Sequence, residues 1–286
     1  MKPFPSIFLS LLLPLAVAAQ SVQIQDGAIR AEFSVSDSTK VYFSQGNLQY
    51  RASTGTWKFA DNQYDTIGDN NSNISSSYSG WIDLFGWGTS GWNSGANAYQ
   101  PYSTSTDYED YYPGGSYSNN LTGSYANADW GVFNKISNGG NAAGMWRTLT
   151  NSEWYYVISN RTDACYLRGT ATVNGVNGLI LLPDNWTLPT GVLFTYGKDG
   201  WSQNTYSASD WSKMEANGAV FLPAAGYRNR TGVYFVGSSG YYWSSSAYDS
   251  DYANCLYFYN GYVSTGYYGY YYRSDGRSVR LVQDAK

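Results

Sequence analysis

The sequence lacks histidine altogether in its 286 residues. Without imidazole, a Ser-His or Cys-His nucleophile pair and a His-ligated zinc ion are excluded. The chain also loses the only side chain whose ordinary pKa lies near neutrality. Carboxylate pairs remain as acid/base groups, but the acidic residues are scattered singly through predicted loops, and none form a recognisable glycosidase pair. Most familiar hydrolase mechanisms are therefore excluded.

Charged residues are scarce as well, at 13% of the chain against the roughly 25% of typical soluble domains. The formal net charge is −4, and the sequence has no basic stripe. A nucleic-acid ligand is therefore not expected, because such proteins neutralise phosphates with Lys and Arg. With 31 Gly, 11 Trp and 30 Tyr, the surface must be built from hydroxyls, amides and aromatic rings.

Cysteine is rare too, since Cys165 and Cys255 are the only two. An oxidising exterior permits a disulfide between them. A domain of this size does not need one, however, and Cys255 lies in a tyrosine-rich segment where it is interpreted as a surface residue. The sequence is compatible with both the bridged and the unbridged alternatives.

The first residues have the pattern of an export signal. Lys2 provides a short positive region, residues 7–17 form an apolar run, and residues 16–19 form a small-residue cleavage site. The apolar run is shorter than the roughly 20 residues of a membrane-spanning helix. We therefore expect residues 1–19 to be a signal peptide and the mature protein to be secreted or associated with the cell envelope, without membrane insertion.

Two short helices are predicted from capping signals. Thr150 and Glu153 form a capping box, and Leu149 with Trp154 forms a hydrophobic staple, which predicts a helix over residues 151–160. Ser207 as N-cap and Gly218 as a left-handed stop predict a second helix over residues 208–217.

Short strands and hairpins are predicted around them. Asn174-Gly175 is a strong hairpin signal between strands at 171–173 and 176–182, and an earlier hairpin is expected between residues 41–50 and 56–60. Further strands are predicted at 219–223, 233–236, 241–246, 253–259 and 278–282.

These elements predict an α+β fold with two short helices, short mostly antiparallel strands and long irregular loops. We expect an N-terminal β element over residues 20–60 and one ligand-binding domain over residues 61–286.

The most distinctive segment is residues 241–272, in which twelve of thirty-two residues are tyrosine, interleaved with Ser, Gly, Asn and Asp. Tyrosine gives a large amphipathic contact area while freezing only two torsions, and this mixture is typical of binding surfaces. A core would favour Phe, Leu and Ile, because each buried phenol hydroxyl needs a partner. Strand alternation over 253–259 predicts Leu256 and Phe258 in the core and Cys255, Tyr257 and Tyr259 facing outward.

Three segments resemble a known family. Residues 146–154 (WRTLTNSEW) are similar to the Arg-Leu-Pro-Thr-x-x-Glu-Trp helix start of C-type lectin folds of the formylglycine-generating-enzyme type. Residues 240–246 (GYYWSSS) and 276–282 (GRSVRLV) resemble the closing strands of that fold. The resemblance implies a C-type lectin-like fold for this domain.

The end of the chain most resembles the variable proteins of bacterial diversity-generating retroelements, in which selected codons of a C-terminal repeat are diversified. The resemblance implies a variable-type segment over residues 240–283. The scaffold positions that it implies are Trp243, Ala253, Leu256, Phe258, Val263, Arg273 and Val279. The ligand-binding residues that we expect on this segment are Tyr241, Tyr248, Asp249, Asp251, Tyr252, Asn254, Cys255, Tyr257, Tyr259, Tyr262, Tyr267, Tyr268, Tyr270 and Ser274.

The sequence also lacks residues that known activities of similar proteins require. Formylglycine-generating enzymes need two nearby redox-active cysteines, and this region offers Cys255 alone. The Glu-Pro-Asn or Gln-Pro-Asp signature of calcium-dependent sugar binding is missing, and residues 69–80 lack the Gly and Glu that an EF-hand loop requires. We therefore expect no enzymatic activity, no metal and no cofactor.

The leading hypothesis is an exported binding protein whose partner is a protein or glycan, on another cell or a phage surface. One alternative is carbohydrate binding by exposed Trp81, Trp87, Trp92 and Trp201. A weaker one is a carboxylate enzyme that uses Asp184 or Glu153. A further alternative is that the tyrosines have no binding role and are solvated strand positions with good β propensity.

Overall fold

The structure is a computed structural model that describes residues 24–197, 200–265 and 270–285. The predicted signal peptide and two of the predicted site residues, Tyr267 and Tyr268, lie outside the described residues. In the described part the fold is α+β, with mostly antiparallel strands and few short helices. None of the helices described there has both the length and the apolar character needed to cross a membrane.

The described residues form eighteen strands and three α-helices. The strands of the N-terminal half are β1 (Ile24–Gln25), β2 (Ala28–Ile29), β3 (Phe33–Ser34), β4 (Lys40–Phe43), β5 (Leu48–Arg51), β6 (Thr56–Phe59) and β7 (Arg147–Thr148). Those that follow are β8 (Arg168–Val173), β9 (Val176–Leu181), β10 (Thr205–Tyr206), β11 (Val220–Pro223), β12 (Tyr227–Asn229), β13 (Gly232–Tyr234), β14 (Ser239–Ala247), β15 (Tyr252–Tyr259), β16 (Tyr262–Ser264), β17 (Tyr270–Tyr272) and β18 (Leu281–Asp284). The helices are α1 (Trp130–Phe133), α2 (Asn151–Tyr155) and α3 (Ala208–Ala216).

Short 3₁₀ turns occupy much of the long loops. They cover Ala52–Thr54, Gly68–Ser72, Glu109–Tyr111, Pro113–Gly115, Gly123–Ala128 and Trp201–Gln203, while Tyr156–Asn160 is a π-helical turn that continues α2.

Three four-stranded sheets organise the molecule. The first has the order β3-β4-β18-β7 and joins the N-terminal strands to the last strand, with Val282 opposite Phe43. The second has the order β10-β8-β9-β11, in which β10 runs parallel to β8. The third, the C-terminal sheet, has the order β14-β15-β16, and β17 pairs with β15 beside β16.

The capping-box helix is confirmed. Thr150 Oγ1 accepts a hydrogen bond from the Glu153 amide at 3.2 Å, and Glu153 Oε2 accepts one from the Thr150 amide at 2.8 Å. Trp154 is fully buried in the core that also contains Leu149. The helical segment spans the predicted residues 151–160, but its second half is π-helical rather than α-helical.

The second predicted helix and both predicted hairpins are also confirmed. Ser207 caps α3, which ends one residue earlier than predicted, before Gly218 at φ 90°. Strands β8 and β9 turn at Asn174 and Gly175, both at positive φ. The early hairpin is β5 with β6, whereas β4, predicted as part of the same run, belongs to the first sheet.

Three predictions of elements need correction. The described residues contain a third short helix, α1, whose N-cap Asp129 accepts from the amide of Gly131. The last strand begins at Leu281 rather than at residue 278. Strand β13 stops at Tyr234 because Phe235 adopts a left-handed φ of 58°, which ends the extended backbone.

Two hydrophobic cores meet at strand β15. Leu256 and Phe258 belong to the core around Trp154, whereas Ala253 and Cys255 belong to a second core around Trp87, Trp130, Trp146 and Trp243. Strand β15 is therefore covered on both faces over part of its length, and this arrangement fixes the strand that carries five of the fourteen predicted site residues.

Candidate functional site

The C-terminal sheet places tyrosines on both of its faces. Tyr241 lies opposite Tyr257 on neighbouring antiparallel strands, and Tyr252 lies opposite Tyr272. Directly opposed residues share a face, and residues 252 and 257 of one strand point to opposite faces because they are an odd number of residues apart. Two separate tyrosine clusters result.

The first tyrosine cluster consists of Tyr241, Tyr257, Tyr259, Tyr262 and Tyr271. The Tyr241 and Tyr257 rings are stacked with centroids 4.8 Å apart, and Tyr271 meets Tyr241 edge-on at 5.0 Å. Tyr259 and Tyr262 are stacked at 5.1 Å. Tyr241 is buried, whereas Tyr259 is 40% exposed, so the cluster has a fixed base and an accessible outer part.

A buried cation supports this cluster from below. The Arg277 side chain is almost fully buried, and its guanidinium carbon lies 4.2 Å from the centroid of Tyr271 and 4.4 Å from that of Tyr241. Arg277 Nη2 donates to Asp275 Oδ2 at 2.8 Å, which neutralises the buried charge. Burial raises the pKa of both Tyr241 and Tyr271 above the ordinary value, so these phenols are neutral at physiological pH.

The second tyrosine cluster consists of Tyr108, Tyr248, Tyr252, Tyr270 and Tyr272. Tyr108 stacks on Tyr272 at 4.8 Å with the planes 4° apart, and Tyr272 stacks in turn on Tyr252 at 4.7 Å. Tyr248 and Tyr270 stack at 4.2 Å. Tyr272 is stacked on two rings and is 38% exposed, so its edge remains accessible, whereas the 52% exposed Tyr248 presents much of its ring to a partner.

Arg273 fastens the base of the second cluster. It is fully buried, and it donates to the main-chain carbonyls of Tyr252, Asp249 and Tyr117 at 2.6–3.2 Å. Its guanidinium carbon also lies 4.5 Å from the ring centroid of Trp87. Burial lowers the pKa of Arg273 to about 10, so it stays charged at neutral pH while it holds the turn before β15 in place.

Most of the predicted site residues come together at this sheet. The exposed or half-buried ones are Tyr248, Asp249, Asp251, Tyr252, Tyr257, Tyr259, Tyr262 and Tyr270. The buried ones are Tyr241, Asn254, Cys255 and Ser274. Asn254 Nδ2 donates to the Ala247 carbonyl at 2.9 Å, and this bond ties β15 to the end of β14. The buried residues are thus placed to support the surface rather than to contact a partner directly.

The prediction that Cys255 faces outward is wrong. Cys255 is 0% exposed and lies opposite Trp243 in the second core. Alternation along β15 separates two faces, but at this point both faces are covered by a core. Burial raises the pKa of the Cys255 thiol to about 12. Cys165 is exposed and the two cysteines are not bonded to each other, so the unbridged alternative is the one observed.

Two flanking segments were not predicted as part of the site. Tyr108 lies in a loop more than 160 positions away from Tyr272 in the chain, and only the Tyr- and Ser-rich composition of that loop gave a signal. Beside the first cluster, the Tyr227 ring packs against the rings of Tyr241 and Phe235, with centroid separations of 5.6 Å and 6.0 Å. Phe235 is exposed, as are Tyr234 and Val236 next to it, so an apolar tip adjoins the tyrosines.

The tryptophans proposed for sugar stacking are poorly placed for it. Trp87 is fully buried and donates its indole N–H to the Ser244 carbonyl at 2.8 Å, so its prediction as an exposed stacking residue is wrong. The Arg51 guanidinium carbon lies 4.3 Å from the ring centroid of the half-buried Trp81. Trp92 and Trp201 are half-buried and pack against the hydrophobic cores.

The two carboxylates considered for catalysis already have cationic partners. Glu153 accepts two hydrogen bonds from the Arg147 guanidinium at 2.8 Å, and Asp184 Oδ1 lies 3.3 Å from Arg161 Nη1. Among the residues that the structure describes, no group of three or more Cys, Asp or Glu side chains is placed to hold a metal ion.

Comparison with known proteins locates a similarity at this sheet. A family model described as Domain of unknown function (DUF8237) matches residues 199–282, a stretch that contains β14 to β17 and both tyrosine clusters apart from Tyr108. No curated protein and no solved structure matches the chain.

Proposed function

We propose that this protein is an exported, non-enzymatic binding protein that recognises a protein or glycan through its two tyrosine clusters. The observation that carries the proposal is the concentration of stacked, partly exposed tyrosines on a base of fully buried residues. A few aromatic anchors supply most of the free energy of a typical interface, at about 2 kcal/mol or more for each hot spot. An aromatic surface without a partner would instead favour aggregation.

The division between fixed and exposed positions also supports the proposal. Six of the seven positions that resemble scaffold are fully buried, namely Trp243, Ala253, Leu256, Phe258, Arg273 and Val279, and Val263 is half-buried. The residues that resemble diversified positions include the most exposed tyrosines of the sheet, Tyr248 and Tyr259. This division is what a C-type lectin-like variable protein of a diversity-generating retroelement requires, and we propose that fold and that relationship for residues 61–286.

A selection experiment tests the proposed function. The immobilised protein is panned against a phage-displayed peptide library and, in parallel, applied to a glycan array. Binding of the selected peptides or glycans is then compared with binding to the variant Tyr248→Ser/Tyr259→Ser/Tyr272→Ser. The matched control is Tyr155→Ser/Tyr166→Ser/Tyr196→Ser, which removes three exposed tyrosines outside the clusters.

We expect the selected ligands to bind the first variant at least tenfold more weakly than the wild type, and to bind the control variant with unchanged affinity. Both variants should remain folded, which a cooperative thermal transition verifies, because the replaced rings lie at the surface and are 38–53% exposed. Ligands that bind the two variants equally well would contradict the proposal. Selected peptides would identify a protein partner, and glycan-array signals without peptides would identify a glycan.

A further inference from the structure

The rim of the second tyrosine cluster is acidic. Asp107 and Glu109 flank Tyr108 in the sequence, and Asp249 and Asp251 precede Tyr252. The loop that carries Tyr108 is joined to the turn before β15 by the Tyr112 hydroxyl, which donates to the Ser250 carbonyl at 2.7 Å. Carboxylates from two distant segments are therefore brought to one surface.

Carboxylates of both segments act on the Tyr112 ring. Burial raises the pKa of Tyr112, the Arg273 guanidinium partly opposes this, and the negative charges of Glu109, Asp251 and Asp107 raise the pKa further. The acidic groups of both segments thus lie close enough to act on the same phenol, in agreement with the hydrogen bond and the Tyr108–Tyr272 stack that join the segments.

The negative charge of this rim is not neutralised locally. In the part of the chain that the structure describes, Asp107, Glu109, Asp249 and Asp251 form no ion pair. Three arginines approach the region. Arg273 and Arg228 are buried below it and donate to carbonyl oxygens, and the exposed Arg230 contacts Thr106 Oγ1 at 3.4 Å. Four carboxylates against three guanidinium groups, two of them buried, leave the surface acidic.

The molecule itself shows which group fits such a surface. Arg277 stacks against Tyr271 and Tyr241 while it donates to the Asp275 carboxylate. A guanidinium is suited to this environment because it is planar, stacks on aromatic faces and bonds carboxylates through a fixed fork. The second cluster combines the exposed ring of Tyr248 with neighbouring carboxylates, but toward solvent.

We propose that the second tyrosine cluster binds arginine side chains of a protein partner, which stack on the exposed ring of Tyr248 and are held by the acidic rim. This inference rests on the proposed binding function and specifies the chemistry of the partner. Charge complementarity selects a basic partner segment, and the stacked rings select arginine over lysine.

The test uses a fluorescein-labelled (Gly-Arg)₃ peptide, with the citrulline and lysine versions as probes of charge and of ring stacking. Fluorescence anisotropy is measured with the wild type, with Asp107→Asn/Asp251→Asn and with the control Asp69→Asn/Asp163→Asn. The control removes the same charge at two exposed positions elsewhere. Thermal unfolding of each variant verifies that it remains folded.

The arginine peptide should bind most tightly, and the rim variant should lose about tenfold in affinity while the control loses less than about twofold. Raising NaCl from about 20 to about 300 mM should weaken wild-type binding markedly. Equal binding of the citrulline or lysine peptide, or an equal loss in the control, would overturn the inference. If library-selected peptides need the tyrosines but not the rim carboxylates, the inference fails while the proposed function stands.

Discussion

The Arg277 guanidinium lies over the Tyr271 ring, with 4.2 Å between its central carbon and the ring centroid. Both residues come from the last forty of the chain, yet one is buried and the other lines the proposed binding surface. The position of the first tyrosine cluster therefore depends on a charge inside the protein. That charge is tolerated because Asp275 pairs with it at 2.8 Å.

Replacing Arg277 with Met should strongly destabilise the fold. The substitution leaves the Asp275 carboxylate buried without its cation, and removing one partner of a buried ion pair costs about 3–5 kcal/mol. Urea denaturation measures the free energy of unfolding. The control Lys213→Met breaks the exposed pair with Asp210 and should cost less than about 1 kcal/mol.

The double variant Arg277→Met/Asp275→Asn checks the cause of that loss. It removes both charges, so it should be more stable than Arg277→Met alone. A double variant that is no more stable than the single one would show that ring stacking, rather than the unpaired carboxylate, accounts for the loss.

The two thiols should react at very different rates. Cys165 is exposed, whereas Cys255 is fully buried and its pKa is raised by burial to about 12. Because the thiolate is the reactive form, Ellman's reagent should modify one thiol quickly in the native protein and the second only after denaturation. The variant Cys165→Ser should lose the fast phase. Two fast phases, or none, would contradict the placement of Cys255 or the absence of a disulfide.

Elements with local signals could be predicted from the sequence. The capping box of Thr150 and Glu153, the N-cap Ser207 and the Asn174-Gly175 turn each involve residues within four positions of one another, and all three are found in the structure. The tyrosine surface was also recognisable, because its composition is concentrated in one segment.

What the sequence could not indicate depends on contacts between distant residues. Strand alternation correctly places Cys255 on the face opposite Leu256 and Phe258. That face is buried because a second core, which includes Trp87 and Trp130 from distant parts of the chain, covers it. Tyr108 joins the site only because its loop folds onto Tyr272. Helix α1 is four residues long, too short to show a helical periodicity.

The buried carboxyl of Asp129 should make the protein less stable as the pH rises from about 4 to about 6. Burial raises its pKa from 3.8 to about 6, although the amides of Thr148 and Gly131 partly oppose this. In that range the unfolded chain releases its proton while the folded protein keeps it, so the free energy of unfolding falls with pH. The contribution is about 2–3 kcal/mol, fully lost above about pH 6.

Asp129→Asn isolates this contribution from those of other acids. The free energy of unfolding of the wild type minus that of the variant should decrease as the pH rises through this range. The exposed Asp69→Asn serves as the control and should show no such trend. A difference that stays constant or increases with pH would contradict the burial of an ionisable Asp129.

Gly240 should not tolerate a larger side chain, because it lies opposite Phe258 in the sheet that carries the tyrosines. A methyl group at this position would clash with the Phe258 ring, which also stacks on Tyr242 with centroids 6.0 Å apart. Gly240→Ala should therefore cost about 1–3 kcal/mol by overpacking. In Gly240→Ala/Phe258→Leu the smaller side chain makes room for the methyl group, so the combined loss should be smaller than the sum of the single losses. Additive losses, measured by urea denaturation of all four proteins, would mean that the ring does not cover the glycine and that β14 and β15 are not held together in this way.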